Sequence, residues 1–391
     1  MIIPHRLTTK LNPTEPTAAS PVGRGCGLPL RHALLLSGGV DSAVALHLLC
    51  EQGIRPDLFY IQIGQQGAET TCTAEEDWEM ATLTARRYGL RLEKVDLQQA
   101  YHERVTAYAV DRIRRGLTPN PDVMCNRLIK FGAFEEVAGH AYDRIATGHY
   151  AQIINTPDGE RWLGPSPDKV KDQSDFLSQL TGAQLRKLCL PLGRLLKKEV
   201  RALAAEWHLP SAHRRDSQGI CFLGKINYTR YLTGLLGERT GEVVEKETGK
   251  VIGLHHGHWF YTIGQRKGLG LGGGPWFVAD KDVAANRVYV THGQCTGGIY
   301  GQEFTLIDFH FITGNPWTRL LEYATKEENV EVLFKIRHTE EPQRGVARFA
   351  PDRRVEITAA KPVQGIAPGQ FGVLYTADGR ICAGSGEIRT P

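Results

Sequence analysis

Short apolar runs alternate with longer amphipathic stretches through the first half of the chain. Ala33-Leu34-Leu35-Leu36, Leu58 to Ile63, Leu92 to Leu97 and Arg144 to Tyr150 are apolar-rich, brief and bounded by glycine or polar residues, so they predict strands. Between them, Ala43 to Leu49, Thr73 to Gly89, Ala100 to Arg115 and Phe131 to Ala141 repeat with helical spacing. Thr73 can cap the second helix, and Glu75-Glu76-Asp77 suit its positive end. Strands and helices in alternation predict an α/β domain with a doubly wound parallel sheet covered on both faces. Ligands gather at the carboxyl ends of such strands, which points to the loops after Leu36, Ile63 and Ala146.

A basic helical region follows from Leu185 to Trp207; its Arg194, Lys197, Lys198 and Arg201, with the basic residues at 213–215, are plausible phosphate contacts, and a solvated helix face is the plainer reading of any one of them. From about Gly241 the pattern changes to short alternating runs such as Arg287-Val288-Tyr289-Val290, separated by glycine and polar turns. This predicts small β-rich units. The expected division is a disordered tail over 1–30, a catalytic domain over 31–222, a small central domain over 223–293 and a β-barrel-like domain over 294–391.

Composition narrows this only a little. The net charge of +4 is mildly basic and weakly suggests nucleic acid. No apolar run approaches a membrane span, so no membrane partner is expected. The first 30 residues hold Pro4, Pro13, Pro16, Pro21 and Pro29 and lack a secretory core. They are also poor in acids, which leaves an organelle matrix as the alternative to a cytoplasmic location. The eight cysteines are scattered without a C-x-x-C pair, which argues against a structural zinc site. Reduced thiols are the default, and any disulfide would be catalytic rather than structural. A monomer is expected.

Chemistry concentrates in a few loops. Ser37-Gly38-Gly39-Val40-Asp41-Ser42 lies between the first strand and the first helix. Two glycines let the backbone approach a phosphate, and free N–H groups with the helix dipole favour its charge. Asp41 would repel a bare phosphate, so it implies a magnesium ion or a cap on a neighbouring N–H. The string SGGVDS resembles the pyrophosphate loop of the ATP pyrophosphatases, enzymes that cleave ATP between its α and β phosphates and adenylate a substrate oxygen. A second loop, Thr118 to Asn126, presents Asp122 and Cys125 behind two prolines, close to Arg127 and Lys130. A helix N-terminus and nearby cations favour a thiolate, and Asp122 could move a proton. A third loop, Arg214 to Phe222, holds Cys221 beside two arginines. Two such cysteines suggest a redox or sulfur-handling pair, although sequence alone does not bring them together. A buried cysteine beside a turn aspartate is the plainer reading of either one.

SGGVDS, CTAE, TPNPDVMCN, ATGHY, KDQ, DSQGICFLG and YTIGQRKGLG occur in one order along the chain. In that order they resemble the MnmA family of tRNA-specific 2-thiouridylases over about residues 32–386. The resemblance implies ATP-dependent replacement of the C2 oxygen of uridine 34 in tRNA by sulfur. It implies that ATP, with Mg2+, meets Leu35, Leu36, Ser37, Gly38, Gly39, Val40, Asp41, Ser42, Ile61 and Gly148. It implies Cys221 as persulfide carrier, Cys125 as its partner in a transient Cys125–Cys221 disulfide, and Asp122 as the proton-transfer residue. Asn120, Pro121 and Asp122 would meet the target base, and Lys171, Asp172, Gln173, Arg337 and His338 the rest of the tRNA. A persulfide donor or relay protein would supply sulfur.

Three positions depart from the family pattern. Tyr60 to Gly64 replaces the usual Met-Lys-Asn-Trp, Asp175 stands where an aromatic residue is common, and His338 replaces a tyrosine. Other adenylating enzymes, such as an amidotransferase-type synthetase or a lysidine-type tRNA ligase, need no cysteine pair. A non-catalytic RNA-binding descendant would not need intact SGGVDS, Asp122 and Cys125.

Overall fold

Strand β1 (His32–Leu35) shows why the first domain has two cores. Successive strand side chains point to opposite faces. Ala33 and Leu35 enter one buried cluster, while Leu34 and Leu36 enter another. Both faces therefore need a helical cover, worth about 1.5–3 kcal/mol for each buried leucine. Helix α1 (Val40–Glu51) covers the second face, followed by β2 (Asp57–Gln62), α2 (Thr71–Arg87) and β3 (Leu92–Asp96). The computed structural model describes residues 30–63, 71–215, 228–293, 299–319, 329–339 and 341–389.

Two long helical runs cover the first face: α3 over 98–114 and α4 over 121–137. Each holds a π-helical stretch, His102–Thr106 in α3 and Asn126–Ala133 in α4. Helix α4 begins ten residues before the periodicity suggests, because Asn120 caps it and Pro121 fills its first position. Next come β4 (Arg144–Ala146), the hairpin β5 (Ala151–Asn155) and β6 (Arg161–Pro165), and α5 (Gly182–Lys187). The basic helical region expected over 185–207 holds the end of α5, a short strand β7 (Leu188–Cys189) and α6 (Lys197–Glu206). Pro191 interrupts the helical run, and Leu188 and Cys189 pair with Ile145 and Ala146 instead.

The first sheet is wholly parallel, in the order β3-β2-β1-β4-β7. The chain runs outward from β1 through β2 and β3, then returns to the other side of β1 as β4. The carboxyl ends of β1 and β4 thus flank a topological switch point, where such folds bind ligands.

After α7 (Tyr228–Leu236), a small sheet is built from β8 (Gly241–Glu245), β9 (Val251–His255), β10 (Trp276–Asp282) and β11 (Arg287–His292). Strand β12 (Tyr300–Phe311) and the short α8 (Pro316–Arg319) open the last unit. Its other strands are β13 (Val330–Lys335), β14 (Gln343–Phe349), β15 (Val355–Gln364), β16 (Phe371–Thr376) and β17 (Cys382–Arg389). They run in the order β12-β15-β14-β13-β16-β17, and β12 also pairs with β17, which closes an antiparallel barrel. The hairpin β5–β6 extends that sheet through Cys382 opposite Leu163. The barrel is therefore stitched to the first domain through backbone pairing as well as through a shared core.

Candidate active site at the sheet switch point

The loop after β1 has the form an anion site requires. Gly38 adopts φ +77, and a Cβ there would stand 2.2 Å from the Asp77 carbonyl oxygen at α2. Only glycine fits both the angle and the space. The Ser42 hydroxyl accepts from the Ser37 amide at 3.2 Å and donates to the Gly39 carbonyl at 3.1 Å. Gly39 precedes α1 without a side-chain cap. The first-turn N–H groups are thus presented together with the positive helix end. Leu35, Leu36 and Val40 are buried, so any contact they make with a nucleotide comes from backbone atoms. Ile61 is the penultimate residue of β2 and packs at the margin of the first core.

Asp41 has a different role from a cap. Lys197 Nζ donates to its two carboxylate oxygens at 2.7 and 2.8 Å, and the Tyr150 hydroxyl donates to Oδ1 at 2.6 Å. Lys197 opens α6, and its own backbone N–H is held by Asp168 at 2.7 Å. The lysine that sequence offered as an outward phosphate contact therefore turns inward to the SGGVDS loop. Arg214 closes the other side. Its guanidinium donates to the Gly38 carbonyl at 3.1 Å and pairs with Asp77 at 2.6 Å. Burial nevertheless holds the Asp77 carboxyl above its ordinary range.

The loop after β4 joins this site to the Cys125 helix. A Cβ on Gly148 would lie 2.8 Å from the Ser42 amide nitrogen, so the two loops touch through backbone. The next residue, His149, faces the other way. Its ring lies 6.4 Å from that of Phe131 on α4, and its Nδ1 is 2.8 Å from the Thr147 hydroxyl. Burial, then the Lys130 ammonium, push the imidazole well below its usual range, so it is neutral at pH 7. Lys197, His149, Tyr150 and Arg214 were not among the residues singled out for this site. The ATGHY string was the available signal for two of them.

The TPNPD loop is fixed by the barrel. Thr118 donates its N–H to the Pro368 carbonyl at 2.8 Å, and the Gln370 amide donates to the Thr118 and Pro119 carbonyls at 3.1 and 3.0 Å. The Asn120 side chain accepts from the Val123 amide, which places Asp122 in the first turn of α4. Cys125 ends that turn with 1% exposure, inside the core between α4 and the sheet. Cys221 and the rest of 216–227 lie outside the described residues.

The two segments read as tRNA contacts meet on one surface. Asp172 is buried and paired with Lys335 of the barrel at 3.0 Å, so it supports its loop instead of facing solvent. Lys171 and Gln173 flank it, and the Gln173 side chain accepts from the Tyr150 amide. Beyond Lys335, Arg337 and His338 are exposed. Arg337 borders an open cavity of about 280 Å3 with Tyr300, Gln343 and Gln364. Among the described residues there is no cluster of three metal-ligating side chains and no helix long and apolar enough to cross a membrane.

Comparison with known proteins agrees with this architecture. Family profiles described as a tRNA methyl transferase HUP domain, a tRNA methyl transferase PRC-barrel domain and an aminomethyltransferase beta-barrel domain match residues 31–225, 229–292 and 302–388. The tRNA-specific 2-thiouridylase MnmA 1 of Bacteroides thetaiotaomicron is 57% identical over 91% of this chain and 99% of its own length. MnmA 2 of Bacteroides fragilis is 58% identical over the same shares. MnmA of Porphyromonas gingivalis is 51% identical over 91% of this chain and 98% of its own. At such identity over nearly the whole of each protein, with matching parallel-sheet and barrel domains, the chain belongs to the MnmA family of tRNA-specific 2-thiouridylases.

Proposed function

We propose that this protein uses ATP to convert uridine 34 of tRNA to 2-thiouridine. One observation supports this above the rest. Gly148 and His149 are neighbours in sequence, yet one touches the SGGVDS loop and the other faces the Cys125 helix. A nucleotide at the loop and a base near Asp122 would then share one cleft.

The uracil O2 is a poor leaving group. Its attack on the α phosphorus of ATP releases pyrophosphate and leaves an adenylated oxygen. The first-turn amides of α1 suit the pyrophosphate charge. Magnesium, carried by the phosphates, would neutralise part of that charge. Asp41 is the loop carboxylate suited to it, provided Lys197 gives up its hold. The terminal sulfur of a Cys221 persulfide would attack C2, and AMP would depart with the former O2. Cys125 thiolate would then attack the Cys221 sulfur, leaving sulfur on the base and a Cys125–Cys221 disulfide. A dithiol reductant resets the pair, and a persulfide relay protein reloads Cys221. Asp122, in the first turn of α4, would move the proton at the base. We place the reaction in the cytoplasm, with a monomer acting on one tRNA.

The test is incubation of the full-length protein with unmodified tRNA, Mg-ATP and a persulfide source, then mass analysis of the nucleosides. An oxygen-to-sulfur mass gain that needs ATP and is lost in Cys125→Ser and Cys221→Ser supports the reading. AMP formation without a thiolated nucleoside overturns the substrate and moves a lysidine-type reaction forward.

A further inference from the structure

Two departures from the family pattern, far apart in sequence, turn out to be partners. Asp175 Oδ2 and His338 Nδ1 are 2.9 Å apart. The ring of His338 also stacks on Phe176, with centroids 4.9 Å apart and planes 28° apart. The Asp175 side chain is 6% exposed and that of His338 is 39% exposed. The imidazole thus has one face and one edge fixed by the catalytic domain, and the rest of the ring meets solvent next to Arg337.

This arrangement sets the tautomer. A carboxylate only accepts, so Nδ1 carries the hydrogen, and any further proton must go to Nε2. Neutral His338 offers an acceptor there, and protonated His338 offers a donor with positive charge. The charged groups around it are Asp175 and Asp172, which favour the proton, and Lys335, which opposes it. Arg337 adjoins it in the chain. The Asp175 hydrogen bond wins and holds the imidazole above its usual range, so the charged ring persists to higher pH than in a free histidine.

We propose that His338 is a proton-dependent tRNA contact, in which Nε2–H donates to a phosphodiester oxygen beside Arg337 while Asp175 holds the ring. This rests on the reading that Arg337 and His338 face tRNA. A phosphate is the fitting ligand because an imidazolium adjoining a guanidinium recognises a shared anionic oxygen, and such contacts position RNA without reading its bases. Asp175 acts through His338 and is a positioning residue.

Equilibrium tRNA binding by the full-length protein, at constant ionic strength between about pH 6 and pH 8, tests this. Wild-type affinity falls about fivefold to tenfold over that range, the loss of one charge-assisted hydrogen bond. His338→Gln shows a flat profile at the weaker level, and Asp175→Asn moves the midpoint to lower pH. The salt dependence of wild-type binding is steeper by about one phosphate contact at the acidic end, a readout that needs no variant. Parallel pH profiles for wild type and His338→Gln overturn the proposal, even where Arg337→Gln weakens binding. If Arg337→Gln and His338→Gln both leave affinity unchanged at every pH, the tRNA-contact reading itself fails.

Discussion

The buried pair of Asp172 and Lys335 gives an asymmetric prediction. Their side chains are 4% and 3% exposed, and the pair links the catalytic domain to the barrel. Asp172 accepts from the Ser166 and Ser174 amides at 2.9 and 3.2 Å, from the Ser174 hydroxyl at 2.9 Å and from Lys335 Nζ at 3.0 Å. Lys335 has only that carboxylate as an anionic partner among the described residues, with the Tyr375 ring 5.8 Å away. Asp172→Asn leaves a buried ammonium facing an amide, which costs about 3–5 kcal/mol. Lys335→Met removes the charge and leaves the carboxylate three donors, so we expect about half that loss. The double variant should be more stable than Asp172→Asn alone, because it buries no ammonium, with a coupling of about 1–3 kcal/mol. Equilibrium urea unfolding of the four proteins measures this. The reasoning is refuted if Lys335→Met costs as much as Asp172→Asn, or if the double variant costs the sum of both.

Three further substitutions probe the site and its neighbours. Gly38→Ala combines a positive φ, costing about 1–2 kcal/mol, with a Cβ 2.2 Å from backbone. ATP-dependent turnover should drop at least about tenfold, and a change under twofold in steady-state kinetics would count against the loop reading. Lys197→Met removes the cation that would face the phosphates once Asp41 is released to magnesium, so KM for ATP should rise about tenfold while tRNA affinity stays constant. A loss of tRNA affinity alone would return Lys197 to the role of an outward phosphate contact. Burial pushes Lys281 down to about 8 from 10.5. The unfolded chain holds the extra proton between those values, so stability rises with pH across that window and is lowest below about pH 8. Lys281→Met should therefore stabilise the protein at neutral pH by about 1–2 kcal/mol after solvent screening, with the gain fading between about pH 8 and pH 10.5 and absent above that; an equal gain at all pH values would exclude this cause.

Much of this protein was legible in one dimension. Leu34 and Leu36 alternate with Ala33 and Leu35, and that period is a local property of a strand buried on both faces. SGGVDS reads as an anion loop because glycine angles and helix ends act within a few residues. The start of α4 was also written locally, in the Asn120 cap and Pro121, but apolar periodicity hid it. Only the fold decided that Lys197 turns inward to Asp41, that Gln370 of the barrel holds the loop before Asp122, and that Asp175 meets His338. These partners lie 156, 252 and 163 residues apart. A charge pattern records that a side chain carries charge. Its direction depends on which strands pair and where two domains share a core, and those choices are made by burial over the whole chain.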